Sequence, residues 1–257
     1  MNLLKTLSPF LAIVLLLPGS AWADKEFVIV QPNEQLFPGG GRASTPYHAD
    51  EAPGRGQKDW LALIQKDGHW YLETTLLEVK RAQDPVLDID GGPDTGLVIS
   101  SRKYPEALAL MKHPALKSGR LNTPDQPIHQ FMELTRPQRL LHNFELNDQV
   151  YWLELLASDY GEHGDAYKPD QLFMHLTKPE KPALDMSDLA VNENWELNAK
   201  IEAVWTGDLD NDGRADLIVW KSGYNFSGLC LYLSSISAPG TNGELPEPTG
   251  CQIGVGC

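Results

Sequence analysis

Residues Gly207 to Leu217 read Gly-Asp-Leu-Asp-Asn-Asp-Gly-Arg-Ala-Asp-Leu, and this stretch constrains the chain more than any other. Counted from Asp208, the carboxylates of Asp208, Asp210, Asp212 and Asp216 stand at loop positions 1, 3, 5 and 9, with Gly213 at position 6. Acids packed this closely repel one another unless a hard cation sits among them. Ca²⁺ takes about six to eight oxygens at roughly 2.3–2.6 Å, and alternating Asp side chains in a tight loop converge on such a point. Gly213 allows the sharp turn, and Arg214 at position 7 would offer its backbone carbonyl rather than its side chain. Asp, Asn and Gly also build solvated acidic turns. The complete D-x-D-x-D-G-x-x-D spacing favours calcium over that alternative.

The flanks exclude an EF-hand. That motif needs helices and a bidentate Glu at position 12, where this chain has Val219. Ile201–Trp205 upstream and Leu217–Trp220 downstream are β-branched and aromatic runs of strand length. The expected unit is strand, calcium loop, strand.

The segment Trp205 to Leu217 resembles the calcium loop of FG-GAP or VCBS-type repeats. Through Gly223-Tyr224-Asn225, Leu231-Tyr232-Leu233-Ser234-Ser235 and the closing Gly256-Cys257 it is similar to the C-terminal module of uncharacterised exported proteins of Gram-negative bacteria. A weaker likeness touches Asp84-Pro85-Val86-Leu87-Asp88. The resemblance implies Asp208, Asp210, Asp212 and Asp216 as ligands. It departs from the repeat pattern in having a single copy, whereas a propeller needs several blades. The nearest second candidate, Asp88 to Asp94, has the wrong register and reads as a Gly/Pro turn.

The leader points to export. Lys5 precedes an apolar run from Leu7 to Leu17, Pro18-Gly19-Ser20 breaks it, and Ala21-Trp22-Ala23 fits a small-x-small cleavage site. The run falls short of the ~20 residues a membrane span needs. No Cys stands directly after Ala23, so the expectation is a protein of the periplasm or medium, beginning at Asp24, without a lipid anchor or membrane span. Loss of Lys5 takes the net charge from −14 to −15. Such an acidic surface repels nucleic acid and anionic lipid.

In an oxidising compartment three cysteines imply one bridge and one thiol left over. If Leu231–Ser235 pairs with the segment after Leu245, the hairpin centre falls near residue 241 and Cys230 lies almost opposite Cys251. Cys230–Cys251 is therefore preferred, with Cys230–Cys257 the alternative.

The expected fold is mainly β, with antiparallel sheets in a sandwich- or barrel-like arrangement. Residues 24–57 read as a Gly/Pro-rich arm after a short strand at Phe27–Val30, residues 58–182 as a β-rich region, and residues 183–257 as the calcium-binding module. The step Lys178-Pro179-Glu180-Lys181-Pro182 marks the boundary, unless it is a long connection within one domain. Strand-like runs flank Asp67-Gly68, from Trp60 to Ile64 and from Trp70 to Val79; others lie at 97–100, 139–146, 150–157 and 171–177, with a turn at Asn147-Asp148. The one short helix expected is Glu106–Met111, confined by Pro105 and Pro114.

None of the seven histidines has a persuasive catalytic setting. Glu162-His163-Gly164-Asp165 and His48-Ala49-Asp50-Glu51 read as polar loops, and His142 and His175 fall within strand patterns. No Gly-x-Ser-x-Gly elbow, His-Glu-x-x-His or phosphate-binding glycine loop is present. The sequence thus points to a non-catalytic calcium-binding β protein that recognises an envelope protein or glycan, or acts as a scaffold. The rival reading is a periplasmic hydrolase with a structural calcium site.

Overall fold

The structure is a computed structural model that describes residues 28–30, 32, 47–48, 51, 58–84, 87–89, 91–125, 138–157, 171–182, 200–222, 226–236, 243, 245 and 247–255. The leader, most of the arm, the 162–165 loop, Tyr224, Asn225 and Cys257 lie outside them. Among the described residues there are only strands and their connections, and every paired strand runs antiparallel.

β1 (Ile29–Val30) joins a five-stranded sheet built around the hairpin of β2 (Trp60–Lys66) and β3 (His69–Thr75). Asp67 and Gly68 both take positive φ, 52° and 78°, the combination of a type I′ turn whose twist matches its strands. The run from Trp70 does not reach Val79 as one strand. It breaks at Leu76, which is 44% exposed, and β4 (Leu77–Ala82) leaves to pair with β5 (Gly96–Ser101) as a separate ribbon. A Thr75–Ser101 hydroxyl contact of 2.7 Å and a bond from Arg102 N to Leu76 O of 3.0 Å secure the break.

The short helix at Glu106–Met111 does not form. Residues 105–106 turn, and Ala109–Met111 become β6, inserted between β1 and β2 with all three residues fully buried. Pairing on both edges and burial on both faces outweigh the helix preference of Ala, Leu and Met. β7 (Gly119–Arg120) ends the sheet beside β3, giving the order β1-β6-β2-β3-β7.

β8 (Gln138–Leu146), β9 (Gln149–Ala157) and β10 (Gln171–His175) form a three-stranded sheet with β9 in the middle. Asn147 and Asp148, with φ of 53° and 62°, make the expected turn. Glu154 on β9 is fully buried, and its charge is met by Arg139 Nε at 2.5 Å and His175 Nε2 at 2.9 Å. Arg139 also donates to the carbonyls of Pro179 and Lys181, at 3.0 and 2.9 Å, which ties the Pro-rich step back to β8.

β11 (Lys200–Gly207), β12 (Asp216–Ser222), β13 (Phe226–Tyr232) and β14 (Gly250–Val255) form a four-stranded meander. The β13–β14 register sets Cys230 directly opposite Cys251, and the two form a disulfide with a Cα–Cα distance of 4.1 Å.

This meander lies between two other sheets, which explains its unbroken apolar runs: a strand buried on both faces loses the usual polar alternation. On β12, Ile218 and Trp220 face one way, joined by Trp205, Leu229 and Leu231, and pack on Leu61, Leu63, Trp70 and Leu72 of the five-stranded sheet. Trp70 meets Trp205 edge to face, with centroids 6.1 Å apart at 78°. Leu217, Val219, Cys230 and Tyr232 face the other way, onto Phe144, Tyr151, Leu153 and Met174 of the three-stranded sheet. The outer face of the first sheet (Trp60, Ala62, Ile64) is covered by Leu77 and Ile99 of the β4–β5 ribbon. The sandwich- or barrel-like arrangement expected from sequence is, in the structure, a stack of four β layers, with residues on either side of the Pro-rich step sharing two cores.

Candidate metal centre

Gly207 and Asp216 are paired across β11 and β12, so residues 208–215 form the connecting loop. Asn211 and Gly213 take φ of 61° and 86°, and these two left-handed residues curl the chain back on itself. Backbone amides then point inward at the carboxylates. Asp212 N donates to Asp208 Oδ1 at 3.0 Å and to Asp210 Oδ1 at 3.2 Å; Gly213 N donates to Asp208 Oδ2 at 3.0 Å; Leu209 N donates to Asp216 Oδ2 at 2.7 Å. One carboxylate oxygen from each of Asp208, Asp210 and Asp216 lies within 4.8 Å of the other two. Asp208 is 4% exposed and Asp216 1% exposed.

Asp212 stands apart from this trio. Its Oδ2 receives Arg214 Nη2 at 2.7 Å and Nε at 2.8 Å, and its Oδ1 receives Arg214 N at 2.8 Å. Arg214 is half exposed, so the pair itself adds little to stability, of order 0–1 kcal/mol. The exit of β13 supplies the far wall. Ser234 Oγ donates to Asp216 Oδ1 at 3.0 Å and reaches Asp212 at 3.3 Å, Ser234 N donates to Asp216 Oδ1 at 2.8 Å, and Ser235 Oγ donates to Asp210 Oδ2. Sequence reasoning gave these serines no role in the site; their only signal was the Leu-Ser-Ser run after Tyr232.

The electrostatics describe a site short of positive charge. Burial pushes the Asp216 carboxyl up to about 7, and the negative Asp210 adds to the rise against the opposing bonds from Ser234 and Leu209. Burial likewise raises Asp208, with Asp212 and Asp210 contributing. The donor set is all oxygen, as a hard cation requires. Ligands on opposite sides of a Ca²⁺ ion at roughly 2.4 Å would lie about 4.8 Å apart, so oxygens within the observed span fit around one centre. The residues present therefore fit a divalent cation.

The loop is also where the layers meet. Asp208 N donates to Asn122 O, just past β7, at 2.9 Å. Asn147, in the β8–β9 turn, donates to Gly213 O at 3.0 Å and accepts from Asn122 Nδ2, while Tyr151 Oη accepts from Ala215 N at 3.3 Å. Nothing local in sequence marks Asn122, Asn147 or Tyr151, because the fold alone brings them to the loop.

Two other stretches singled out in the sequence, at His48 and at Asp88, have structural partners. His48 Nδ1 lies 2.5 Å from Oδ2 of Asp84, which is 1% exposed. Asp88 is a turn staple: its carboxylate accepts Thr95 Oγ1 at 2.5 Å, Thr95 N at 2.9 Å and Asp84 N at 2.6 Å, and the Thr95 bonds lead in holding it below the usual carboxylate range. Among the described residues the only acidic, His or Cys group placed to share an ion is the one at 208–216. Comparison with known protein families, characterised proteins and solved structures yields no match.

Proposed function

We propose that this is an exported, non-catalytic calcium-binding β protein, in which the ion secures the junction of three sheets for recognition or scaffolding in a bacterial envelope. The observation that carries the reading is the convergence of Asp208, Asp210 and Asp216 in a loop bonded to Asn122 on one side and Asn147 on the other. Calcium is the ion of choice because the loop spacing, the all-oxygen donor set and the likeness to FG-GAP or VCBS loops agree. In the calcium-loaded state Asp212 and the Arg214 carbonyl would join the shell, with Asp212 released from the Arg214 guanidinium. The leader and the disulfide agree with an oxidising compartment.

An ion that binds only the folded state stabilises it by RT ln(1 + [Ca]/Kd). At about 1 mM Ca²⁺ and a Kd of about 0.1 mM that is roughly 1.4 kcal/mol. Titration calorimetry at millimolar calcium tests the reading. Folded protein that takes up no calcium would exclude it. Mg²⁺ should substitute poorly, because it demands a smaller octahedral shell and sheds water reluctantly.

A further inference from the structure

Beside the metal loop, the β2–β3 hairpin end and the residues following β7 enclose an open concavity of about 560 Å³. Its wall presents Gln65, His69, Arg120, Asn122, Thr123 and Asn211, with Trp70 also in the lining. The volume falls in the range of small-ligand sites, roughly 300–1,000 Å³. The chemistry is unlike the rest of the molecule. The chain carries a net charge of −14, yet Asp125 is the one acid on this wall. Arg120 Nη2 donates to His69 Nδ1 at 3.0 Å, so the imidazole ring positions the guanidinium; among the described residues Arg120 makes no ion pair. Its charge is therefore held at the pocket without being cancelled. Three amide side chains and a hydroxyl supply mixed donors and acceptors, the pairing that vicinal sugar hydroxyls require.

We propose that this concavity binds a saccharide bearing a carboxylate, with the carboxylate on Arg120 and the hydroxyls on Asn122, Thr123 and Asn211. The guanidinium fork matches a carboxylate in two parallel bonds. The net acidity of the chain disfavours polyanions such as nucleic acid, whereas a sugar acid brings one charge per ring to one cation. This inference names the ligand class for the recognition role proposed above, and only its calcium dependence rests on that reading. Asn211 lies within the metal loop, and Asn122 bonds it through the backbone to Asp208 and through Asn147 to Gly213. A cation that fixes the loop therefore fixes two of the sugar-facing amides.

The test is a glycan array of uronate- and sialate-bearing oligosaccharides, their methyl esters and their neutral parents, followed by calorimetric titration of the binders with the full exported chain. In calcium the protein should retain the free acids and lose their esters. Arg120→Gln should weaken binding tenfold or more at unchanged melting temperature, since Arg120 is exposed. Chelation should weaken binding several-fold. Folded, calcium-loaded protein that retains no sugar acid, that binds esters equally, or that is indifferent to Arg120→Gln overturns the proposal. Sugar-acid binding that needs Arg120 in a protein that takes up no calcium would leave the pocket standing and remove the calcium reading instead.

Discussion

Asp210 and Asp216 belong to one cluster but differ in what they hold. Asp216 accepts Leu209 N on one oxygen and Ser234 N and Oγ on the other, so it binds the loop to the exit of β13. Among the described residues Asp210 accepts only Asp212 N and Ser235 Oγ, and it is half-buried. Asp210→Ala should therefore leave the fold intact while abolishing the calcium-dependent rise in melting temperature, measured by scanning calorimetry with and without chelator. An undiminished rise would remove Asp210 from the ligand set. The raised carboxyls also set a pH dependence. Without metal, unfolded Asp loses its proton near pH 4, whereas folded Asp216 keeps its own to about 7. Across that window the folded chain binds more protons than the unfolded one, so this contribution to stability falls as pH rises and is gone above pH ~7. Calcium needs the ionised forms, so its stabilising increment should be larger at pH 8 than at pH 5.5. Thermal melts at the two pH values check the sign. Gly207 shows a separate constraint: a Cβ there would stand 2.6 Å from the Trp205 ring and 2.8 Å from Asn122 O, so only glycine admits the neighbouring layer so closely.

At the level of elements, the strand–loop–strand unit, both tight hairpin turns and the Cys230–Cys251 register were legible because each is written in local chemistry: paired carboxylates, positive-φ turn residues, a countable hairpin centre. What was not legible depended on distant partners. The run through Leu76 has strand composition throughout, and only the Ser101 and Arg102 contacts reveal where it splits between two sheets. Ala109–Met111 has helix-forming residues and became a strand because β1 and β2 offered two open edges. Asp212 sits in the loop pattern like its neighbours, but its pairing with Arg214 two residues on follows from the curl at Gly213. The disulfide closes a sequence separation of 21 residues. Replacing Cys230 and Cys251 together by Ser should cost about 3 kcal/mol by loop-closure entropy, read as a lowered urea midpoint at unchanged fold.

On the scale of the molecule, the central meander cannot satisfy itself. Its two faces are covered by residues 61–72 on one side and 144–174 on the other. A fragment of residues 183–257 should therefore be unfolded or aggregated even in saturating calcium, and addition of calcium should not restore dispersed amide resonances. A soluble, cooperatively melting fragment would show that the meander stands alone. The same layering imposes a timetable on synthesis. The apolar face formed by Leu61, Leu63, Trp70 and Leu72 leaves the ribosome early, whereas the Trp205, Ile218, Leu229 and Leu231 that cover it come more than a hundred residues later. At about 5–20 residues per second that gap lasts several seconds or more, long compared with the microseconds in which a hairpin closes. During this interval the apolar residues of that face wait for a cover not yet translated, so a holding chaperone that keeps the chain unfolded for export would protect it most in the stretch between Arg120 and Leu231.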